Sequence, residues 1–242
     1  MERIRLVFTA GAITAIAGFT SASRAAFVGL AAVLEFPSAD TAAGPRDVYH
    51  VFAEFTNPTD RVNSWFGTAR NPMVIQNVLA DGTTLGSNFT NFGGQFGNLP
   101  PEVAGTVRDW DTFATIGIRN GSEAPFGGDE TMLSAPPNFS FITGNSLTAV
   151  ASLSVPPSAP QGRANYRILG GDTALRVLLM QLVVNVGEHV RGTISISGQV
   201  STALAVEDYT FINQTFSSVP SPSVVALLGT FFLRCKRRRR SE

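Results

Sequence analysis

Thr193-Ile-Ser-Ile-Ser-Gly-Gln-Val200 alternates apolar and polar residues with a period of two. Successive side chains of a β-strand point to opposite faces, so Ile194 and Ile196 share one face and Thr193, Ser195 and Ser197 share the other. An antiparallel strand with one face on the core and one face in water gives this alternation. The stretch therefore predicts a half-buried antiparallel strand.

The same period recurs along the chain. Val48-Tyr-His-Val-Phe-Ala-Glu-Phe55 places Tyr49, Val51, Ala53 and Phe55 on one face. Further predicted strands cover residues 28–35, 73–79, 111–118 and 147–155. Residues 175–184 are apolar almost throughout, and their leucines permit a helix, but the Val-Val ending and the surrounding strands favour a buried central strand. Turn-forming pairs separate these segments: Asn57-Pro58, Asp81-Gly82, Asn120-Gly121, Pro156-Pro157 and Gly170-Gly171.

Many short strands with turn signals between them predict an all-β domain. Residues 26–212 are long enough for one sizeable core. We expect a two-sheet antiparallel β-sandwich of jelly-roll or immunoglobulin-like architecture. A short linker is expected at residues 213–218.

The N-terminus predicts a secretory signal peptide over residues 1–25. Met1-Glu-Arg-Ile-Arg5 is basic, Leu6 to Phe19 is apolar, and Ser21 to Ala25 offers small residues for cleavage, in the order that such a peptide requires. The apolar stretch is expected to be helical. The alternative interpretation is a buried N-terminal helix.

Charge is distributed unevenly although the chain is formally neutral. Residues 26–218 carry nine arginines and sixteen acidic residues, a net charge of −7, whereas both ends are basic. An acidic domain repels phosphate backbones, which argues against a nucleic-acid partner. Basic residues that flank membrane segments stay on the cytoplasmic side, so the domain between the two ends is expected to face outward.

Residues 219–242 combine a proline-containing turn, an apolar stretch and a basic cluster. The apolar part, Val224 to Leu233, has ten residues, which is short of the roughly 20 that a spanning helix needs. We therefore expect a short hydrophobic helix that holds the chain at a membrane transiently, with its C-terminus in the cytoplasm. The alternative is a buried C-terminal helix whose dipole the arginines cap.

This tail resembles the PEP-CTERM sorting signal of exopolysaccharide-producing bacteria. The resemblance rests on Val219-Pro220-Ser221-Pro222, with Ser221 where that signal usually has Glu, on Ala226-Leu-Leu-Gly229, and on the cluster Arg237, Arg238, Arg239 and Arg240. Residues 47–62 and 110–117 are also similar to segments of planctomycete-type secreted PEP-CTERM proteins. The resemblance implies processing by an exosortase and delivery to the cell surface or an extracellular matrix. The chain would be the substrate of that enzyme.

Signatures of catalysis are missing from the sequence. It contains no Gly-x-Ser-x-Gly elbow, no His-Glu-x-x-His pair and no Walker loop. The only histidines, His50 and His189, have no nucleophile beside them in the sequence. We therefore expect a non-enzymatic protein without a cofactor and with a structural or adhesive role. A secreted hydrolase that depends on His50 or on Asp109 and Asp111 is the third interpretation.

An acidic pair and a set of aromatic residues are candidates for binding sites, although each also suits an ordinary structural role. Asp109 and Asp111, two positions apart, would face the same way on a strand and could bind calcium, although solvated carboxylates are favoured. Phe89, Phe92 and Phe96 lie in the irregular stretch 82–105. Together with Trp65 they are candidates for stacking on the rings of an exopolysaccharide, although core packing is favoured for all of them. A carbohydrate-binding module is therefore the second functional hypothesis.

Overall fold

The computed structural model describes residues 27–41, 43–86, 89–90, 110–119, 131–134, 147–149, 151–166, 173–201 and 205–219. The predicted signal peptide and the tail beyond Val219 lie outside these ranges. The predictions of a signal helix and a C-terminal helix therefore stay predictions.

The described residues form antiparallel strands in two sheets, which confirms the all-β class. The first sheet has the order β1-β2-β10-β6, with β1 at Phe27–Thr41, β2 at Gly44–Phe55, β6 at Phe113–Ala114 and β10 at Arg176–Asn185. The second sheet is built around β11 at His189–Ser201. Around β11 lie β3 at Arg61–Phe66, β4 at Met73–Val78, β5 at Thr84–Gly86, β7 at Met132–Ser134, β8 at Leu147–Ala149, β9 at Ser152–Ser154 and β12 at Val206–Ser217. A 3-10 helix covers Pro160–Gly162.

The main core lies between the two sheets, as in a β-sandwich. The strand β2 contributes Tyr49, Val51, Ala53 and Phe55, the four residues that the alternation placed on one face. The strand β11 contributes Ile194 and Ile196 from the opposite sheet. Side chains from both sheets thus share one buried cluster, which is the arrangement that removes the apolar face of each sheet from water.

The outer face of the first sheet carries a second, smaller core. Phe52 of β2, Leu178 of β10 and Phe113 of β6 are buried together, with Val33 of β1 packed against them. Both faces of β2 and β10 are therefore covered, which explains the nearly continuous apolar sequence of β10.

A β-bulge decides which side chains of β10 face the main core. The register with β2 shifts between Leu178 and Met180. Before the shift, the odd-numbered Val177 points into the main core. After the shift, the even-numbered Leu182 and Val184 point into it instead. An extra residue in one strand produces such a change of facing. Because of it, Gln181 points to the outer face, where it meets His50.

The last strand, β12, pairs with β11, and two of its aromatic rings lie over glycines of β11. Phe216 pairs with Gly192, and Tyr209 pairs with Gly198. A Cβ atom on Gly198 would lie 2.6 Å from the Tyr209 hydroxyl oxygen. That hydroxyl donates a hydrogen bond of 2.9 Å to the carbonyl oxygen of Arg61 on β3. Glycine is thus required where the ring crosses the strand.

Several predicted boundaries were wrong. β12 continues to Ser217, so most of the expected linker at residues 213–218 belongs to the sheet, where cross-strand pairing with β11 stabilises it. Residues 147–155 form two short strands, because they pair with different partners, β4 and β3. Of residues 111–118 only Phe113–Ala114 is a strand, and it pairs with β10.

Candidate functional site

The structure places two of the candidate glycan-binding aromatics in the main core. Trp65 is fully buried, and its indole Nε1 donates a hydrogen bond of 2.9 Å to the carbonyl oxygen of Thr115. Phe89 is 5% exposed and belongs to the same cluster. Neither ring is available to stack on a sugar, so burial excludes these two residues from that role. Phe92 and Phe96 lie outside the described residues.

The candidate calcium pair is described only in part. Asp109 lies outside the described residues, and Asp111 is 6% exposed. Within the described ranges, no group of three or more His, Cys, Asp or Glu side chains is arranged to hold a metal ion. Asp111 instead joins a buried polar network through its backbone.

That network connects Asp111 to His50, two residues that the sequence offered for hydrolysis. Gln181 donates from Nε2 to the carbonyl oxygen of Asp111 over 2.8 Å. Its Oε1 atom therefore faces His50, whose Nε2 lies 2.8 Å away and must be the donor. Gln181 thus fixes the His50 tautomer with the proton on Nε2. His50 is only 1% exposed, and its bond to Gln181 ties β2 to β10 within the outer core.

A row of aromatic rings lies along the same outer face. The Phe36 ring contacts Trp110 edge-to-face at a centroid distance of 5.1 Å and His50 at 6.1 Å. His50 contacts Phe52 at 5.9 Å, and the Arg176 guanidinium lies 3.9 Å above the Phe52 ring. Phe36 and Trp110 at one end of the row and Arg176 at the other are partly exposed, so the two ends are the parts that a ligand could reach.

The second notable site is the C-terminal end of β12, at Ser217 and Ser218. Ser218 directly follows β12 and is bonded twice to Val190 of β11: its backbone N–H donates to the Val190 carbonyl oxygen over 2.8 Å, and its Oγ accepts from the Val190 N–H over 2.9 Å. Ser218 is thus bound to β11 through both its backbone and its side chain. Val219 follows, with one hydrogen bond from its N–H to the hydroxyl of Ser217.

Tyr49 and His189 surround Ser218. The Nδ1 atom of His189 lies 3.4 Å from both the Tyr49 hydroxyl and the Ser218 hydroxyl. Tyr49 donates to the carbonyl oxygen of Glu188 over 3.0 Å. Burial raises the pKa of Tyr49, and the nearby Asp47 carboxylate raises it further, so the hydroxyl keeps its proton and remains a donor. These contacts fasten Ser218 to both sheets.

The turns beside Ser218 complete this end of the sandwich. Asp47 of β2 accepts hydrogen bonds from the N–H groups of Ser38 and Gly187, at 2.9 and 2.8 Å. Glu188 accepts from the side chains of Asn77 and Asn185, at 2.9 and 2.7 Å. Asp47 and Glu188 thus hold β1, β4 and the β10–β11 turn together.

Sequence reasoning missed Ser218, Tyr49 and His189 as a cluster. They lie on three different strands or strand ends, and 140 positions separate Tyr49 from His189. Gln181 was missed as well, although a glutamine inside the apolar run Leu178-Leu-Met-Gln-Leu182 signals a buried polar partner.

Comparison of the chain with protein-family models, curated proteins and solved structures gives no match. In the part of the chain that the structure describes, no helix has the length and apolar character needed to cross a membrane.

Proposed function

We propose that the chain is an exported protein with a structural or adhesive role at the cell surface or in an extracellular matrix. In this proposal an exosortase-type enzyme recognises residues 219–242 as a sorting tail and processes it, and the jelly-roll or immunoglobulin-like sandwich is the delivered domain. The mature domain would meet exopolysaccharide in the envelope or the matrix.

One observation carries this proposal. Ser218 is hydrogen-bonded to Val190 through its backbone and its side chain, and the sorting-type motif begins at the next residue, Val219. A cut within residues 219–222 would leave β12 complete, because the pairing of β12 with β11 ends at Ser217. Among the described residues, the C-terminal strand thus ends just before the tail motif, which supports a removable sorting tail.

Intact mass and cell fractionation of the native protein test the proposal. We expect a mass that begins near Ala26 and ends between Val219 and Pro222, with the protein in the surface fraction. Deletion of Val219 to Glu242 is expected to send the domain into the medium without processing. A full-length cytosolic protein would overturn both end assignments, and the arginines would then belong to a soluble basic tail.

A carbohydrate-binding module is the second candidate. It is favoured by the partly exposed edge-to-face pair of Phe36 and Trp110 on the outer face of the first sheet. Aromatic faces beside polar groups are suited to sugar rings. Trp110→Ala is expected to abolish retention on exopolysaccharide under this hypothesis, whereas Val206→Ala, on the other sheet, is the matched control. Equal retention of both variants would remove the hypothesis.

A further inference from the structure

We infer that the end of the sandwich from which the chain leaves is a membrane-facing surface, which contacts lipid headgroups before the tail is processed. This inference rests on the proposed function, because it requires residues 224–233 to enter a bilayer. We call this end the exit pole. It comprises residues 79–83 between β4 and β5, residues 186–188 between β10 and β11, and Ser218.

The strand register brings these parts together. His189 at the start of β11 pairs with Val78, the last residue of β4. Asn77 donates a hydrogen bond of 2.9 Å to the Glu188 carboxylate, which ties β4 to the β10–β11 turn. Ser218 is bonded to Val190, one residue further along β11. Ser218, which precedes the predicted tail, therefore lies beside both turns.

Exposed apolar side chains lie at this pole. Val186 is 51% exposed at the tip of the β10–β11 turn, and Leu79 is 39% exposed where β4 ends. Leu85, which is 37% exposed, lies on β5 next to the end of β4. Arg191 is bonded to the carbonyl oxygen of Gly82, and the carboxylates of Asp81 and Glu188 lie at the same pole, so the contact proposed here is apolar rather than a matter of charge. Exposed apolar side chains suit the boundary between headgroups and acyl chains.

The covalent length of the chain restricts the distance from this pole to a membrane. Five residue steps separate Val219 from Val224, where the apolar stretch begins, and a fully extended chain covers at most about 3.5 Å per step, or about 18 Å in all. The headgroup region takes up roughly 5 to 8 Å of this distance on each side of a bilayer. With the tail inserted, the exit pole is therefore held within about 13 Å of the headgroups.

The opposite end, the far pole, lies away from the membrane in this arrangement. β2 runs from Arg46 at the exit pole to Phe55 at the far pole, which is nine steps of about 3.3 Å, or about 30 Å. Val28 and Val206 lie at the far pole and are 61% and 62% exposed. These two valines are matched controls, because they are at least as exposed as Val186 but lie at the pole that faces away from the membrane.

The test uses residues 26–242, the chain without its predicted signal peptide, with Cys235→Ser, which removes the only thiol. Val186→Cys or Val206→Cys then carries an environment-sensitive fluorophore, and vesicles of phosphatidylethanolamine and phosphatidylglycerol are added. We expect the emission to shift to the blue at position 186 and to stay unchanged at position 206. Flotation of the vesicles measures binding of the whole chain independently of the fluorophore.

The outcomes separate the inference from the proposed function. Flotation without a blue shift at position 186, or with equal shifts at both positions, overturns the inference and leaves the tail assignment in place. A chain that does not float overturns the membrane tail itself and, with it, the inference.

A second set of variants keeps the test independent of labelling. Leu79→Asp with Val186→Asp is expected to lower vesicle binding roughly threefold or more, because partial burial of the two apolar side chains is lost. Val28→Asp with Val206→Asp is expected to leave binding unchanged. Equal losses in the two double variants would overturn the inference.

Discussion

Replacement of Gly198 by alanine is expected to be among the most damaging single substitutions in the sandwich. The added Cβ atom would lie 1.9 Å from the carbonyl oxygen of Arg61 on β3. An ordinary van der Waals contact begins near 3.4 Å, so β3 and β11 would have to separate by about 1.5 Å. The obstacle is a backbone atom in a paired strand, and no side-chain rotation relieves the clash.

The cost follows from what this separation breaks. Gly198 pairs with Val62, and Gln199 pairs with Arg61, so the shift lengthens the hydrogen bonds at this point of the ladder beyond useful range. Two or three lost bonds at about 1 kcal/mol each, together with displacement of the Tyr209 ring, give a loss of about 3 to 5 kcal/mol. Domains of this kind have only about 5 to 15 kcal/mol of stability.

Urea unfolding, followed by circular dichroism and tryptophan fluorescence, measures this loss. With a denaturant dependence of about 2 to 3 kcal/mol per molar, the midpoint is expected to fall by roughly 1 to 2 M. Gly187→Ala is the control, because Gly187 has a φ of +84° and no atom within 4 Å of its added Cβ. That variant costs only the left-handed backbone, about 1 to 2 kcal/mol. If Gly198→Ala costs no more than Gly187→Ala, the steric argument is refuted.

Three further predictions concern stability. Tyr209→Phe removes the bond to the Arg61 carbonyl oxygen and is expected to cost about 1 kcal/mol in the same unfolding assay, less than Gly198→Ala; an equal cost would mean that the ring rather than the glycine decides this contact. Trp65→Phe leaves a cavity and an unpaired Thr115 carbonyl oxygen, and a loss of about 2 to 4 kcal/mol is expected; a loss below 1 kcal/mol would contradict the buried position. Burial raises the pKa of Asp60, so the folded state binds the carboxyl proton more tightly than the unfolded state does. The stability that this difference contributes is full below about pH 4 and is lost as the pH rises through the folded-state pKa. Relative to Asp60→Asn, the wild-type protein should therefore lose stability from about pH 4 upward in unfolding curves recorded across pH, and the opposite slope would show that the folded state favours the charged carboxylate.

The strand predictions succeeded where one face of a strand is buried and the other is polar. In β11 the isoleucines point into the main core, and in β2 the alternation from Tyr49 to Phe55 identified the inward face. Alternation is visible there because the local pattern mirrors the burial pattern. It failed at residues 111–118 and 147–155, where strands of two or three residues are fixed by their partners rather than by their own sequence.

The candidate site was less predictable than the fold. Burial of Trp65 and Phe89 depends on which ring reaches the space between the sheets, and an aromatic residue in a polar stretch suits either a core or a surface. The contact of His50 with Gln181 crosses 131 positions, and that of Gln181 with Asp111 crosses 70. No local pattern reports contacts over such separations.

The sequence by itself determined the β class, the strand faces of β2 and β11, and the motifs at the two ends, because each of these depends on neighbouring residues. Only the tertiary structure decided the facing of β10 and the extent of β12. The bulge near Leu179 changes which alternate residues of β10 face the main core. Because the run is apolar almost throughout, the sequence does not distinguish the two possible orientations. β12 reaches Ser217 because Tyr209 and Phe216 lie over glycines of β11 and the strand pairs through to Ser217. Such contacts exist only after distant segments have come together, which is why they had to be seen in the folded chain.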